Sequence, residues 1–287
     1  MKTLVCFFNY DGMIVNIQRH IVDALLDMDC ETRECHITEL EKVAQEFQPI
    51  MVLLFHPNKE VYKYKPVIQT LHCHVLAWDL ESPYESDIIF DLAEIITNVF
   101  TSDENTANAL KASFPYKKIF YVPHACNPKV HHPMEVPYEY KSDILFVGNA
   151  YPSRIQWFRD HAKEYKDQMV TLVGVGYRGL DGYQNQRVLH THISEPEMIK
   201  YINGAKLVLN LHRMNSDLDM ANARKIEPLS FNNRYFEVAA CGKQQLVVGR
   251  GEPPRLVRAL EGDELAKFQE INSYKKRLKD FYLDILR

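Results

Sequence analysis

The stretch Ile50–Pro57, IMVLLFHP, sets six apolar residues in an unbroken row and closes on His-Pro. A strand with one face in water alternates apolar and polar residues. A continuous run of this length, bounded by a turn signal, marks a strand buried on both faces. Such strands sit inside parallel sheets sheathed by helices. Working outward, TLVCFF (3–8), LHCHVLAW (71–78, ending at Asp79), NVFT (98–101) and KIFYV (118–122) repeat the same signal. Helical patterns separate them. Ile14, Ile17, Ile21, Ala24, Leu25 and Met28 recur at helical spacing, and Thr38 with Glu41 predicts a capping box for a second helix.

The proline-rich segment 122–137, VPHACNPKVHHPMEVP, interrupts this alternation and predicts a linker near 125–138, with His131-His132 exposed in it. A second series then begins: DILFVG (143–148), the helix PSRIQWFRDHAKEY (152–165), MVTLVGVG (169–176), a helix capped by Ser194 with Glu197 and ended by Gly204, KLVLNL (206–211), and QQLVVG (244–249). The expected architecture is α/β with two Rossmann-like domains, 1–127 and 138–262, followed by a terminal helical segment, 263–287. In open parallel sheets, ligands bind outside the carboxyl ends of the strands. Those ends carry Tyr10, His56, Asp79 and His124 in the first domain. In the second they carry Gly148, Asn149, Gly174, His212 and Arg213. Two such edges facing each other would form a cleft.

With 287 residues, 46% of them hydrophobic and 25% charged, the chain reads as globular. No apolar run reaches the ~20 residues that span a bilayer. The N-terminus reads as a first strand rather than a leader, so the expected location is cytoplasmic. Six scattered cysteines without a CxxC pair point to reduced, buried thiols. A net charge of −4 gives no overall attraction for nucleic acid or acidic membranes and leaves only local basic patches.

Such a patch is suggested by SFNNRYFEVAACG, 230–242. It predicts a helix capped by Ser or Asn, with Asn233, Arg234 and Glu237 close together in its first turns. A helix N-terminus attracts anions, Arg234 offers a fork for phosphate oxygens, and Glu237 suits the paired hydroxyls of a ribose. The competing reading is an ion pair within the helix. Two further clusters bear on the choice: GNAYPSR (148–154), which delivers Ser153 and Arg154 to a helix start, and LNLHR (209–213). Asp217-x-Asp219 reads as a solvated acidic loop, and His72 with His74 as part of a buried strand, so no metal site is expected. GVGYRG (174–179) lacks the dinucleotide fingerprint. YKKRLK (274–279) reads as the solvated face of a helix.

The segments VGNAYPSR, GAKLVLNLHR and FNNRYFEVAACGKQQLVV resemble the CgeB-like glycosyltransferases of spore maturation. KIFYVPHACNPKVHHP and, loosely, WDLESPY are similar to first-domain segments of that family. The resemblance implies the GT-B fold, with a terminal helix crossing back to the first domain. It also implies a nucleotide-sugar donor on the second domain and an acceptor on the first. Glu237 then matches the ribose-binding acid, and Arg234 and Arg154 sit near the diphosphate. The expected donor set is Gly148, Asn149, Ser153, Arg154, Gly174, His212, Arg213, Asn233, Arg234 and Glu237, with Asp79 or His124 as base. No cofactor or metal is expected beyond a UDP- or GDP-linked sugar. The acceptor is open among polysaccharide, protein, small molecule and modified nucleic acid base. The long polar loop 214–229 reads as a lid over phosphate or a disordered surface loop. The rival functions are a non-catalytic nucleotide-sugar-binding protein and a nucleotide-sugar epimerase or hydrolase.

Overall fold

The structure is a computed structural model that describes residues 1–10, 12–177, 180, 186–217, 221–250 and 253–286. The chain divides into two compact units. The first comprises Met1–His124, Met220–Ser230 and Tyr274–Arg287; the second comprises Ala125–Asp219 and Phe231–Ser273.

In the first unit the strands are β1 (Lys2–Phe7), β2 (Glu31–His36), β3 (Met51–Phe55), β4 (His74–Asp79), β5 (Asn98–Thr101) and β6 (Lys118–Tyr121). They form one parallel sheet in the order β2-β1-β3-β4-β5-β6. Every residue of β3 is buried, as its unbroken apolar run requires. The helices are α1 (Met13–Leu26), α2 (Leu40–Phe47), α3 (Lys65–Gln69), α4 (Ser86–Ala93) and α5 (Glu104–Ser113). α1 buries Ile14, Ile17, Ile21, Ala24 and Leu25 along one stripe. The Thr38–Glu41 capping box does not form. Thr38 lies in a short 3-10 turn, Ile37–Glu39, whose cap is the His36 ring, and α2 begins only at Leu40.

The second unit contains β7 (Ser142–Val147), β8 (Val170–Val173), β9 (Gln186–Leu189), β10 (Ala205–Leu211), β11 (Gln245–Val248) and β12 (Arg255–Val257). Their order is β12-β11-β10-β7-β8-β9, parallel except for β12. Its helices are α6 (Pro152–His161), α7 (Glu195–Gly204), α8 (Asn233–Ala240) and α9 (Gly262–Ile271). Ser194 caps α7 by accepting from Glu197 N at 3.4 Å, as its spacing predicts. His131 is buried rather than exposed, because the Asn127 N–H donates to its Nδ1 and closes the turn.

α10 (Tyr274–Leu286) belongs to the first unit. It buries Leu278 completely and sets Phe281 5.7 Å from Phe100 and 5.4 Å from Phe120. Its Lys275 and Lys279 face solvent, in line with the amphipathic spacing of YKKRLK. Residues 221–230 are also fastened to the first unit. Asp103 Oδ2 accepts from Leu229 N at 2.8 Å and Ser230 N at 2.9 Å, while Asp87 accepts from Ala223 N and pairs with Arg224 at 3.5 Å. All six cysteines are free thiols, and all but Cys73 are buried. Among the described residues, no helix is long and apolar enough to cross a membrane.

Candidate functional site

In the second sheet the chain proceeds outward from β7 to β8 and β9 on one side, and from β10 to β11 on the other. The loops after β7 and β10 therefore part at their carboxyl ends, which leaves a crevice where ligands of such sheets collect. Gly148 and Asn149 follow β7, and His212 and Arg213 follow β10. Arg154, in the first turn of α6, ties the two loops together: its Nε donates to Leu211 O at 3.0 Å and its Nη1 to Asn149 O at 2.9 Å. Its guanidinium lies 4.7 Å from the Tyr151 ring, and the Arg213 guanidinium lies 5.5 Å from the same ring. Gly148 makes room for this arrangement, since a Cβ there would stand 3.2 Å from Arg154 Nη1 and 3.1 Å from Phe146.

Gly174 has a different task. Its φ is +144°, and a Cβ would meet Gly148 O at 2.1 Å, so its missing side chain lets the turns after β7 and β8 pass each other. Arg178 and Gly179 of the GVGYRG stretch lie outside the described residues.

His212 is a strut between elements. It is buried, its Nδ1 faces Val248 O at 3.2 Å, and its Nε2 accepts from Asn232 N at 3.2 Å. That pattern fixes the Nδ1–H tautomer. Burial first, then the charges of Arg250 and Arg154, push its pKa down to about 3. The ring is thus neutral at ordinary pH. It holds the start of α8 against β10 and β11. Asn232 completes the joint: its Oδ1 caps α8 by accepting from Tyr235 N at 3.1 Å, and its Nδ2 donates to Asn210 Oδ1 at 2.9 Å.

On α8 the three expected residues meet one another. Glu237 is buried, with Oε1 accepting from Asn233 Nδ2 at 2.7 Å and Oε2 from Arg234 Nη1 at 2.5 Å. Burial alone would raise the Glu237 carboxyl. Arg234, then His131 and the Asn233 hydrogen bond, outweigh it and hold the pKa below the usual carboxylate value. The ion pair within the helix is therefore formed, and it sits one turn inside a helix whose cap rests on the β10 loop.

Asp217 departs from the expectation of a solvated acid. It is buried, and its carboxylate accepts from Ser153 N at 2.9 Å, Ser153 Oγ at 2.7 Å and Met214 N at 2.8 Å. Tyr151 gives α6 no side-chain cap, so Asp217 supplies the missing acceptor from a distant turn. Ser153, expected to meet the donor, is occupied by this contact. Asp219 lies outside the described residues.

In the first unit, Asp79 ends β4 and is buried. Its carboxylate accepts from Glu81 N at 3.1 Å and from the Ser82 hydroxyl. It also stands 3.7 Å from Nδ1 of His56, which is itself buried at the end of β3 in a left-handed conformation, φ +45°. Tyr10, after β1, stacks on His56 with ring centroids 4.7 Å apart. Burial, then Glu85, Asp79 and Glu81, drive the Tyr10 hydroxyl pKa far above its ordinary range. The sheet order reverses between β1 and β3, so Tyr10 and His56 mark this unit's own switch point. His124, the other expected base, is buried just beyond β6, two strands from Asp79.

Comparison with known proteins agrees with this architecture. A family of glycosyl transferase-like proteins matches residues 154–282. The spore protein CgeB of Bacillus subtilis (strain 168) is 25% identical over 256 residues, 86% of this chain and 79% of that protein. The chain is thus similar to CgeB over most of its length and to glycosyl transferase-like proteins over residues 154–282. Among solved structures it is similar to AviGT4, a glycosyltransferase of avilamycin A biosynthesis, with a TM-score of 0.61 and 11% identity over 99% of this chain and 97% of that one. It is also similar to Staphylococcus aureus MnaA in complex with UDP, with a TM-score of 0.55 and 12% identity over 99% and 98% of the two chains. At these identities the likeness establishes the fold, which is α/β with two Rossmann-like units of the GT-B type. The glycosyl transferase-like region contains Arg154, His212, Arg213, Asn233, Arg234 and Glu237; Asp79 and His124 precede it.

Sequence reading set His56 at a ligand edge without giving it a role, took Asp217 for a solvated acid, and did not single out Arg250. Arg250 donates to Gly249 O at 2.7 Å and Arg213 O at 3.4 Å. Strand-end position was the signal available for Arg250 and His56. Asp217 had none, because its partner Ser153 is 64 residues away.

Proposed function

We propose that this CgeB-like chain is a glycosyltransferase that moves a hexosyl group from a nucleotide-diphosphate sugar, UDP- or GDP-linked, to an acceptor hydroxyl without a metal ion. The observation that carries the donor side is Arg154. Two main-chain carbonyls hold its guanidinium across the switch point of the second sheet. The bond between the anomeric carbon and the diphosphate oxygen breaks, and charge develops on the diphosphate. Guanidinium groups fixed in advance stabilise such charge without reorganising during the reaction. Arg213, over the same Tyr151 ring, adds positive charge beside it. Glu237, held anionic by Arg234 and Asn233, is the group suited to a ribose. The UDP held by the similar S. aureus MnaA supports a nucleotide ligand for this fold.

On the acceptor side the new bond joins the acceptor oxygen to the anomeric carbon, and the hydroxyl proton passes to a base. Asp79, with His56 beside it, is our first choice, and His124 is the second. The test is incubation of the purified protein with a panel of UDP- and GDP-sugars, with and without EDTA, read by mass spectrometry. Transfer to an added acceptor that survives EDTA supports the proposal. Binding without turnover, or conversion of the donor without an acceptor, refutes transfer in favour of a binding protein or an epimerase or hydrolase. Loss of turnover in EDTA with rescue by Mg²⁺ or Mn²⁺ refutes metal independence.

A further inference from the structure

Residues 221–230 belong to the first unit, although β10 before them and α8 after them belong to the second. Both ends of this segment are fastened at the start of a helix. In the first turn of α4, Asp87 N donates to Ala221 O at 2.9 Å, and the Asp87 carboxylate accepts from Ala223 N at 3.0 Å. The Arg224 guanidinium lies 3.8 Å from the Phe90 ring of the same helix. At the other end, Asp103 is buried and divides its carboxylate between two tasks. Oδ1 caps α5 by accepting from Thr106 N at 3.0 Å, and Oδ2 accepts from Leu229 N and Ser230 N. Ser230 Oγ accepts from Glu104 N at 3.0 Å, and Asn105 Nδ2 donates to Glu227 O at 2.9 Å. Asn222 braces the middle, with both Ile226 N and Ile226 O bonded to its amide at 3.0 Å, and Ile226 packs against the first unit's core.

The anchor at Asp103 shares its strand ends with Asp79. Thr101, two residues before it, is registered with Asp79 across β4 and β5, and Ser102 Oγ donates to Leu80 O at 3.1 Å. The other end of the segment leads straight into α8. Ser230 is the last anchor, Asn232 is the α8 cap, and only Phe231 lies between them. Two residues of chain span at most about 7 Å. Phe231 is itself stacked on Tyr235, with ring centroids 4.2 Å apart. The main chain therefore has little slack between Asp103 and the helix that carries Asn233, Arg234 and Glu237.

We propose that residues 221–230 are a clasp that couples the Asp79 end of the first sheet to α8, so that docking of the clasp and nucleotide binding at α8 favour each other. This rests on the donor reading given above and extends it to the regulation of that site. The link is the covalent chain itself. Coupling of this kind is reciprocal, so a nucleotide tightens the clasp as much as the docked clasp tightens the nucleotide.

The experiment is hydrogen exchange of the full chain read by mass spectrometry, with UDP and GDP as probes, beside calorimetric titration of the same proteins. The variants are Asp103→Ser and Asn105→Ala, each first confirmed as folded by its melting curve. Serine caps a helix about as well as aspartate but has one side-chain oxygen, so α5 keeps its cap while Leu229 and Ser230 lose their acceptor. Asn105→Ala removes the bond to Glu227 O and leaves Asp103 in place. Both variants should exchange faster at 221–230 and in the first turn of α8, and should bind UDP or GDP at least about fivefold more weakly. In wild type the nucleotide should slow exchange at 221–230. Faster exchange at 221–230 with α8 protection and nucleotide affinity as in wild type overturns the coupling, as does a bound nucleotide that leaves exchange at 221–230 unchanged. Unchanged exchange at 221–230 in both variants overturns the clasp itself. If Asp103→Ser also unprotects α5, Asn105→Ala decides the matter alone. A wild type that binds neither UDP nor GDP overturns the donor reading, while α8 exchange in the variants still supports or refutes the link through the chain.

Discussion

Replacing Glu237 with Ala tests two ideas at once, because the ribose reading and the ion-pair geometry predict different damage. If Glu237 served only a ligand, its loss would leave the fold untouched. In the structure its side chain is 5% exposed and its carboxylate satisfies two partners, Arg234 and Asn233. The Arg234 side chain is only 15% exposed, so Glu237→Ala strands a largely buried guanidinium and leaves the Asn233 amide without its acceptor. Breaking a buried pair from one side costs about 3–5 kcal/mol. The Asn233 loss belongs to the same network and is not added to this. Against a typical domain stability of about 5–15 kcal/mol, that is a large fraction.

Urea titration followed by circular dichroism should show the midpoint falling with little change in slope. The double variant Arg234→Met, Glu237→Leu should recover much of the loss, since an apolar pair of similar size needs no counter-charge. Glu237→Gln should fold more stably than Glu237→Ala, and it isolates the ribose question. If Glu237 meets the ribose, wild type should prefer UDP to 2′-deoxy-UDP and Glu237→Gln should not. A Glu237→Ala protein less than about 1 kcal/mol below wild type would refute the energetic reasoning. An unchanged preference in Glu237→Gln would refute the ribose role.

Acid should destabilise the protein in two stages. His212 has a folded pKa near 3 against an ordinary value of about 6.5, so the unfolded chain binds the extra proton first and stability falls as pH drops through that window. Glu237, whose folded pKa is lowered, contributes stability above the ordinary carboxylate value and loses it below. Urea midpoints measured from pH 7 to pH 4 check the first stage, and His212→Asn should flatten it. Gly148→Ala puts a methyl group 3.2 Å from Arg154 Nη1 and should weaken UDP binding about tenfold or more by displacing the guanidinium, with the melting temperature lowered only slightly; calorimetry with UDP decides it. Asp79→Asn should slow transfer ~10²–10⁴-fold at unchanged donor affinity if Asp79 is the base, with His124→Ala as the matched control in the same transfer assay. A full rate in Asp79→Asn would exclude it.

The sequence by itself determined the central strands and the class of fold. β1, β3, β4, β7, β10 and β11 lie in the sheet interiors, and burial on both faces demands the unbroken apolar runs that announce them. Three of the four edge strands were illegible for the same reason, β6 being the exception that KIFYV announced. β2 reads ETRECH and buries a single residue, and β9 and β12 have none fully buried, so no hydrophobic pattern marks them. Local caps were legible where partners are near in sequence, as with Ser194 and Asn232. The Thr38 box failed because the His36 ring offered the backbone a competing acceptor.

The tertiary structure alone decided what the chemically promising residues are bonded to. Asp217 looked like a solvated acid because its partner Ser153 is brought to it by the β7–β10 pairing and not by the chain. His212 looked like a ligand-binding histidine at a strand end, yet burial and contacts from β11 and the α8 cap make it neutral and structural. Residue type and strand-end position are written along the sequence. Hydrogen-bond partners and local field depend on which strand ends lie side by side, and that is fixed only when the sheet forms.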